Sequence, residues 1–190
     1  MLLSRAFYLQ DDVVAIARDL IGMTLHTRID GRYVSAIISE TEAYAGVDDG
    51  ASHAFGGRLT ARNRTMYAEG GRAYVYICYG IHHLFNIVTH QEGIPHAVLV
   101  RGVRVLDGVE HVERRRGRRN PTTEGPGTAA QAMGIRRVHD GTDLLGPTIW
   151  IEDDGTRYPA NAIVSGPRIG VAYAGNDAIL PYRFLLRTRS

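Results

Sequence analysis

The run Val34-Ser35-Ala36-Ile37-Ile38-Ser39-Glu40-Thr41-Glu42-Ala43-Tyr44 constrains this chain more than any other stretch. Read as a strand with period two, one face carries Val34, Ala36, Ile38, Glu40, Glu42 and Tyr44. That face begins apolar and ends in two carboxylates and a phenol. A sheet that buries it must pair or use the acids, because an ionised carboxylate loses its hydration inside a protein. Alternate strand residues lie roughly 6.5–7 Å apart, so both acids can face one cavity. A strand that runs out of the core, leaving both acids in water, fits the same residues equally well. The rest of the chain separates the two.

A length of 190 residues with 44% hydrophobic content predicts one domain, residues 1–190, with a sizeable core. The one cysteine, Cys78, excludes an internal disulfide and a cysteine-based metal site, and its place in an aromatic strand reads as core. No apolar run approaches the ~18 residues of a membrane span, and Met1 to Arg5 lacks the layout of a secretory signal. The expectation is a cytoplasmic protein. All 22 basic residues are arginine. Residues 51–137 hold thirteen arginines against six acids, whereas the first fifty hold four against eight. A basic centre of this kind is the footprint of a polyanion-binding protein.

In chain order, Asp11 or Asp12 caps a helix running to about Ile21. Met23 to Ile29, the turn Asp30-Gly31, and Tyr33 to Thr41 form a β-hairpin. Residues 45–72, rich in glycine and arginine, read as loop, and Arg58, Thr60, Arg62 and Arg64 offer groups that can grip phosphates. Tyr74 to Gly80 and His83 to Thr89 read as strands, with Tyr79-Gly80 near their tip. An aromatic there is either a packed turn residue or a projecting wedge. His96 to Val105 is a strand on which Arg101 shares a face with Leu99 and Val103, so Arg101 needs an anion, and Glu42 is the obvious candidate. Asp107 caps a helix to about Arg116, and Gly125-Pro126-Gly127 opens a short helix ending at Gly134. Strands near Thr148–Glu152, Ala162–Ser165, Arg168–Ala172 and Arg183–Arg187 complete an α+β fold: a curved mixed or antiparallel sheet with flanking helices and a protruding hairpin.

Metal chemistry finds little support, because His82 and His83, the only close histidine pair, point to opposite faces of a strand. No dinucleotide fingerprint occurs, and a lysine-dependent phosphate loop is impossible here. What remains is a carboxylate beside stacked aromatics on an arginine-rich surface. Aromatics bind flat π-faces, arginines bind phosphates, and a carboxylate orients or deprotonates water. That set suits an enzyme that takes a base out of the nucleic-acid stack and cuts it from its sugar.

Ser39 to Tyr44, His53, Thr60 to Arg64, Ala73 to Gly80, Asn86, Val98 to Arg101, Gly125-Pro126 and Arg168 to Gly175 resemble, in order and spacing, the alkyladenine type of 3-methyladenine DNA glycosylase. The resemblance spans roughly residues 4–187, and includes a likeness in fold to the C-terminal domain of formyltransferases. It implies hydrolysis of the N-glycosidic bond of alkylated or deaminated purines in duplex DNA, by a monomer at the nucleoid, with no metal and no cofactor. Glu42 would be the general base, with Glu40 structural. Arg101 and the carbonyl of Ile169 would help hold the water. Tyr44, His53 and Tyr76 would line the base pocket, Asn86 would crowd the exocyclic amine of normal guanine, and Tyr79 would fill the gap left in the duplex. Without lysine, the chain has only its N-terminal amine for a Schiff base, so a monofunctional enzyme is expected. The chain departs from the family pattern at Thr128, where lysine is frequent, and in its short tail, Arg187 to Ser190.

Two other readings compete. A non-catalytic nucleic-acid-binding module of the same fold would use the arginines and have no need of Glu42. A carbohydrate hydrolase would use Glu40 and Glu42, whose strand spacing falls near the roughly 6.5–9.5 Å of inverting enzymes, but it gives no reason for the arginines or the aromatic tip.

Overall fold

The computed structural model describes residues 1–187; Thr188, Arg189 and Ser190, most of the short tail noted above, lie outside them. Two small helices open the chain, α1 (Arg5–Tyr8) and α2 (Val13–Asp19). Asp12 starts α2 by accepting the main-chain N–H groups of Val14 and Ala15 at 2.9 and 3.0 Å. Val13, Ile16 and Ala17 then turn one stripe of the helix into the core. The hairpin β1 (Thr24–Ile29) and β2 (Arg32–Ala45) follows, and its Asp30-Gly31 turn takes positive φ at both residues.

The remaining strands are β3 (Ala73–Cys78), β4 (His82–Thr89), β5 (His96–Asp107), β6 (Ile149–Glu152), β7 (Ile163–Gly166) and β8 (Arg183–Leu186). They join in one eight-stranded sheet of order β3-β4-β5-β2-β1-β6, with β8 on β2 and β7 on β8. Every strand pairing among the described residues is antiparallel, which settles the mixed-or-antiparallel choice for the second. The helices α3 (Val109–Arg116) and α4 (Pro126–Met133) cover the same face as α2. There they enclose the main core, which includes Ile16, Val34, Ile38, Phe85, Val100 and Met133. A smaller cluster of Ala54, Met66, Tyr74, Val88 and Ala97 lies on the other face, under the loop that leads from β2 to β3.

The strict period-two reading of β2 fails at Ser39. Ile38 pairs with Val103 and Glu40 with Gly102, so Ser39 is an extra residue; Thr41 then pairs with Val100, leaving Arg101 as an extra residue on β5. Each bulge reverses the parity of its strand. Val34, Ala36 and Ile38 belong to the helix-side core, and so does Ala43, while the Thr41 hydroxyl donates to the Ala17 carbonyl of α2 at 2.7 Å. Glu40, Glu42 and Tyr44 therefore face away from the helices, not with the apolar half of the strand. Arg101 likewise parts from Val103 and turns to the acids.

Other boundaries shift for local reasons. Gly108, not Asp107, stands at the N-cap of α3, because Asp107 ends β5 and accepts the Ser35 hydroxyl. Arg168–Ala172 is not a strand. Positive φ at Gly170 breaks it, the Ile169 N–H goes to Glu42 instead of a ladder partner, and a 3-10 run, Ala172–Ile179, follows. Cys78 is half-buried near a hairpin tip rather than in the core. Arg115 caps the end of α4 through the Ala132 carbonyl, and Arg116 bonds Gln131. The Thr128 hydroxyl folds back onto the Glu124 and Gly125 carbonyls.

Candidate active site

Residues paired across a ladder share a face, and three pairings place Tyr74, Asn86, Leu99 and Glu42 in one row across β3, β4, β5 and β2. Glu42 ends that row with 0% exposure. Its Oε1 accepts the Ile169 main-chain N–H at 2.7 Å, and its Oε2 accepts the Tyr44 hydroxyl at 2.9 Å. Arg101 reaches both oxygens at 3.4 Å and lies closer to Glu40, at 3.1 Å. Glu40 also accepts Arg183 at 2.6 Å. Two carboxylates and two guanidiniums therefore balance in charge, which is what makes a buried acid pair tolerable. Glu40 is held on both sides, whereas Glu42 is fixed by one amide, one phenol and the far end of Arg101. The contact of Ile169 with Glu42 runs through its N–H.

Tyr44 hangs between Glu42 and the cavity. Burial first, then the Glu42 charge and hydrogen bond, holds its phenol well above the ordinary range, so it stays a donor. Arg168 sits over its ring at 5.0 Å from the centroid and over Tyr182 at 5.2 Å. The same guanidinium makes a two-pronged pair with buried Asp49 at 2.5 and 2.8 Å, and donates to the Ala43 carbonyl at 2.9 Å. Burial pushes the Asp49 carboxyl up, but hydrogen bonds from Arg168, Ala45 and Ala51 outweigh it and leave the group below its usual value. This clamp ties the loop after β2 to the turn that presents Ile169.

Beyond Tyr44 lies a narrow cleft of about 50 Å³, walled by His53, Tyr74, Tyr76, Asn86 and Tyr173 among others. The His53 ring meets Tyr76 edge-on, centroids 4.7 Å apart, and its Nδ1 pairs with the Tyr74 hydroxyl at 2.9 Å. Burial, and then the charge of Arg62, lowers the His53 pKa to about 4, so at neutral pH it is an uncharged ring. The phenol of Tyr74, itself raised by burial, keeps its proton, so the pair is neutral on both sides. Asn86 is buried, and its amide donates to the Tyr74 carbonyl at 3.1 Å.

Arg58, Thr60, Arg62 and Arg64 are all exposed. The first three border an outer cavity of about 410 Å³ beside the cleft, while Arg64 lies off its lining. Arg62 also stacks over Tyr76 at 5.0 Å. Buried Asn63 shapes this loop: its amide donates to the His53 and Arg58 carbonyls, and its carbonyl accepts the Thr60 N–H and hydroxyl. At the far end of β3, Tyr79 is 92% exposed with φ 50, and Gly80 follows at φ 74. A tyrosine in the left-handed region is strained, and here nothing packs on the ring in return. Of the two roles open to a tip aromatic, the projecting one fits.

The sequence reading thus names residues that the fold does bring together: Glu42, Tyr44, His53, Tyr76, Asn86, Arg101 and Ile169 converge on one site. It misses Asn63, Tyr74, Asp49, Arg168 and Tyr173 as parts of that site. Tyr74 had a signal, since it shares period two with Tyr76. No group of three or more potential metal-ligating side chains occurs among the described residues, and none of their helices is long and apolar enough to cross a membrane.

The sequence of residues 6–190 matches the family model described as methylpurine-DNA glycosylase. A Chlamydia felis protein named "Putative 3-methyladenine DNA glycosylase" is 42% identical over 192 residues, covering 99% of this chain and 97% of that protein. An Anaeromyxobacter dehalogenans protein of the same name is 45% identical over 188 residues, covering 98% of this chain and 83% of the other. A family model matched along nearly the whole chain, and relatives at this identity and coverage, leave one assignment: the chain belongs to the methylpurine-DNA glycosylase family, DNA-repair hydrolases that act on DNA.

Proposed function

We propose that this protein, one domain acting as a monomer on duplex DNA at the nucleoid, extrudes alkylated or deaminated purines and hydrolyses their N-glycosidic bond. The observation that carries this reading is the Glu42 carboxylate, fully buried and held by the Ile169 amide and by the phenol of Tyr44, a residue that lines the aromatic cleft. In the reaction Glu42 accepts a proton from a water as the water attacks the anomeric carbon, and Arg101 steadies the carboxylate. Tyr44, His53 and Tyr76 sandwich the base, and Asn86 leaves no room for the exocyclic amine of unmodified guanine. Purines alkylated at N3 or N7, such as 3-methyladenine and 7-methylguanine, carry a positive charge while bonded to the sugar and leave as neutral bases, so they need no proton. Hypoxanthine needs a proton as it departs, and a neutral His53 is a poor source of one. Arg58, Thr60, Arg62 and Arg64 hold the backbone phosphates.

The direct test is chromatographic detection of free 7-methylguanine or hypoxanthine released from a duplex of defined sequence. Tight binding without release would instead favour the non-catalytic module. A carbohydrate hydrolase gains nothing from the geometry, because Glu40 is committed to Arg101 and Arg183.

Two further outcomes are expected. Tyr79→Ser should weaken binding to a duplex with an abasic analogue by about 1–3 kcal/mol, the range of one base–aromatic contact; titration by fluorescence anisotropy would show it, and unchanged affinity would remove Tyr79 from the duplex. Borohydride added during turnover should trap no protein–DNA adduct, since a water deprotonated by Glu42 and not an amine attacks the sugar. A trapped band on a denaturing gel would contradict the monofunctional assignment.

A further inference from the structure

The cleft beside Glu42 is too small for what it is proposed to hold. At about 50 Å³ it falls far below the roughly 300 Å³ at which small-molecule pockets begin, and a bicyclic purine does not fit. Something in the wall must move. Most of the wall is fixed. Tyr44 is bonded to Glu42 and covered by Arg168, Tyr74 is buried and bonded to His53, and Asn86 is buried and bonded to β3. Tyr76 is packed between His53 and the guanidinium of Arg62.

Tyr173 differs from all of these. It is 72% exposed, and its hydroxyl makes one hydrogen bond, to the Ala51 carbonyl at 3.2 Å. A single neutral bond of that length contributes little net free energy even when part-buried. Its backbone belongs to the 3-10 run Ala172–Ile179, which is broken at Gly175, φ 58. Tyr173 and His53 are the two residues that line both the cleft and the 410 Å³ outer cavity. His53 is anchored by Tyr74, so the movable partition between the two spaces is the Tyr173 ring. Rotation about its side-chain torsions needs no change in the sheet.

We propose that Tyr173 is the door of the purine site. It swings off Ala51 to let an extruded base pass from the outer cavity into the cleft, then returns to pack on the exposed edge of that base. Its ring thereby sets the size of purine the protein accepts, favouring compact substituents such as a methyl group over bulky ones. This rests on the base-excision reading above.

The test compares wild type, Tyr173→Ala and Tyr173→Phe on two duplexes, one carrying 7-methylguanine and one a guanine with a benzyl group at N7. Single-turnover release is measured, together with affinity for a duplex holding an abasic analogue, which places no base in the cleft. Tyr173→Ala should release 7-methylguanine roughly 5- to 150-fold more slowly, the span of one lost stacking contact. Its relative rate on the benzyl adduct should rise, and its abasic-duplex affinity should not change. Tyr173→Phe keeps the ring and should restore most of the release rate and the size preference that alanine loses. An alanine variant with wild-type rates and size preference would overturn the inference. So would a phenylalanine variant as impaired as alanine, or abasic-duplex affinity falling in step with the rate. A wild-type protein that releases no purine overturns the base-excision reading and this inference together. An active wild type with an indifferent Tyr173→Ala overturns this inference alone.

Discussion

Glu42→Gln is expected to slow single-turnover release of 7-methylguanine by about 10²–10⁴-fold, the usual range for a positioned general base, while binding to an abasic-analogue duplex survives. The size of the effect follows from the surroundings of the side chain. Every neighbour of the Glu42 oxygens is a donor: the Ile169 amide, the Tyr44 hydroxyl and Arg101. A glutamine in that place has one acceptor oxygen, and its NH₂ must face one of those donors, so the variant loses both the base and the fixed geometry. A melting temperature within a few degrees of wild type separates loss of chemistry from loss of fold. Equal release rates in the two proteins would remove Glu42 from its role.

Asp49→Ala should cost about 3–5 kcal/mol of stability, because it strands the buried Arg168 guanidinium without its anion. For a chain of this length that corresponds to a melting temperature lower by roughly 6–20 °C, at about 2–4 °C per kcal/mol. Differential scanning calorimetry reads it directly. The sign of the accompanying pH dependence also follows. Asp49 is held below its unfolded value despite burial, so its contribution is complete above the ordinary aspartate pKa of about 3.9. It is lost as pH falls through the lower, folded value. Wild type should therefore lose stability on acidification below about pH 4, and the alanine variant should lose less over the same window. An alanine variant as stable as wild type would mean the pair is dispensable.

How much of this could be read from the sequence depends on the range of the signal. The first hairpin was legible because Asp30-Gly31 is a local turn signal between two alternating runs, and the tip at Tyr79-Gly80 because aromatic strands end there in a glycine. Glu42 stood out because an acid among apolar strand residues demands a reason. The bulges at Ser39 and Arg101 were not legible, since an extra residue is defined only against a partner strand, and simple alternation assigned Ile38 and Glu42 to one face. The Asp49–Arg168 clamp joins residues 119 positions apart, and no local pattern marks either as a partner of the other. Arg168–Ala172 looked like a strand because its composition is that of one. Its amide serves a carboxylate instead.

The paired bulges carry one last consequence. Because both neighbouring strands slip at the same level, hydrogen bonding continues through the crossover while grease and acid trade sides. Hydrophobic packing that drives collapse and polar groups that hold water or substrate never compete for the same surface, although they share two strands. Deleting Ser39 alone would put β2 out of step with β5 and point Glu42 at α2, a loss that no repacking of helices could repair. Changes among the helices themselves can reach the carboxylate only through the backbone, which leaves that side of the molecule free to drift in sequence without touching the chemistry.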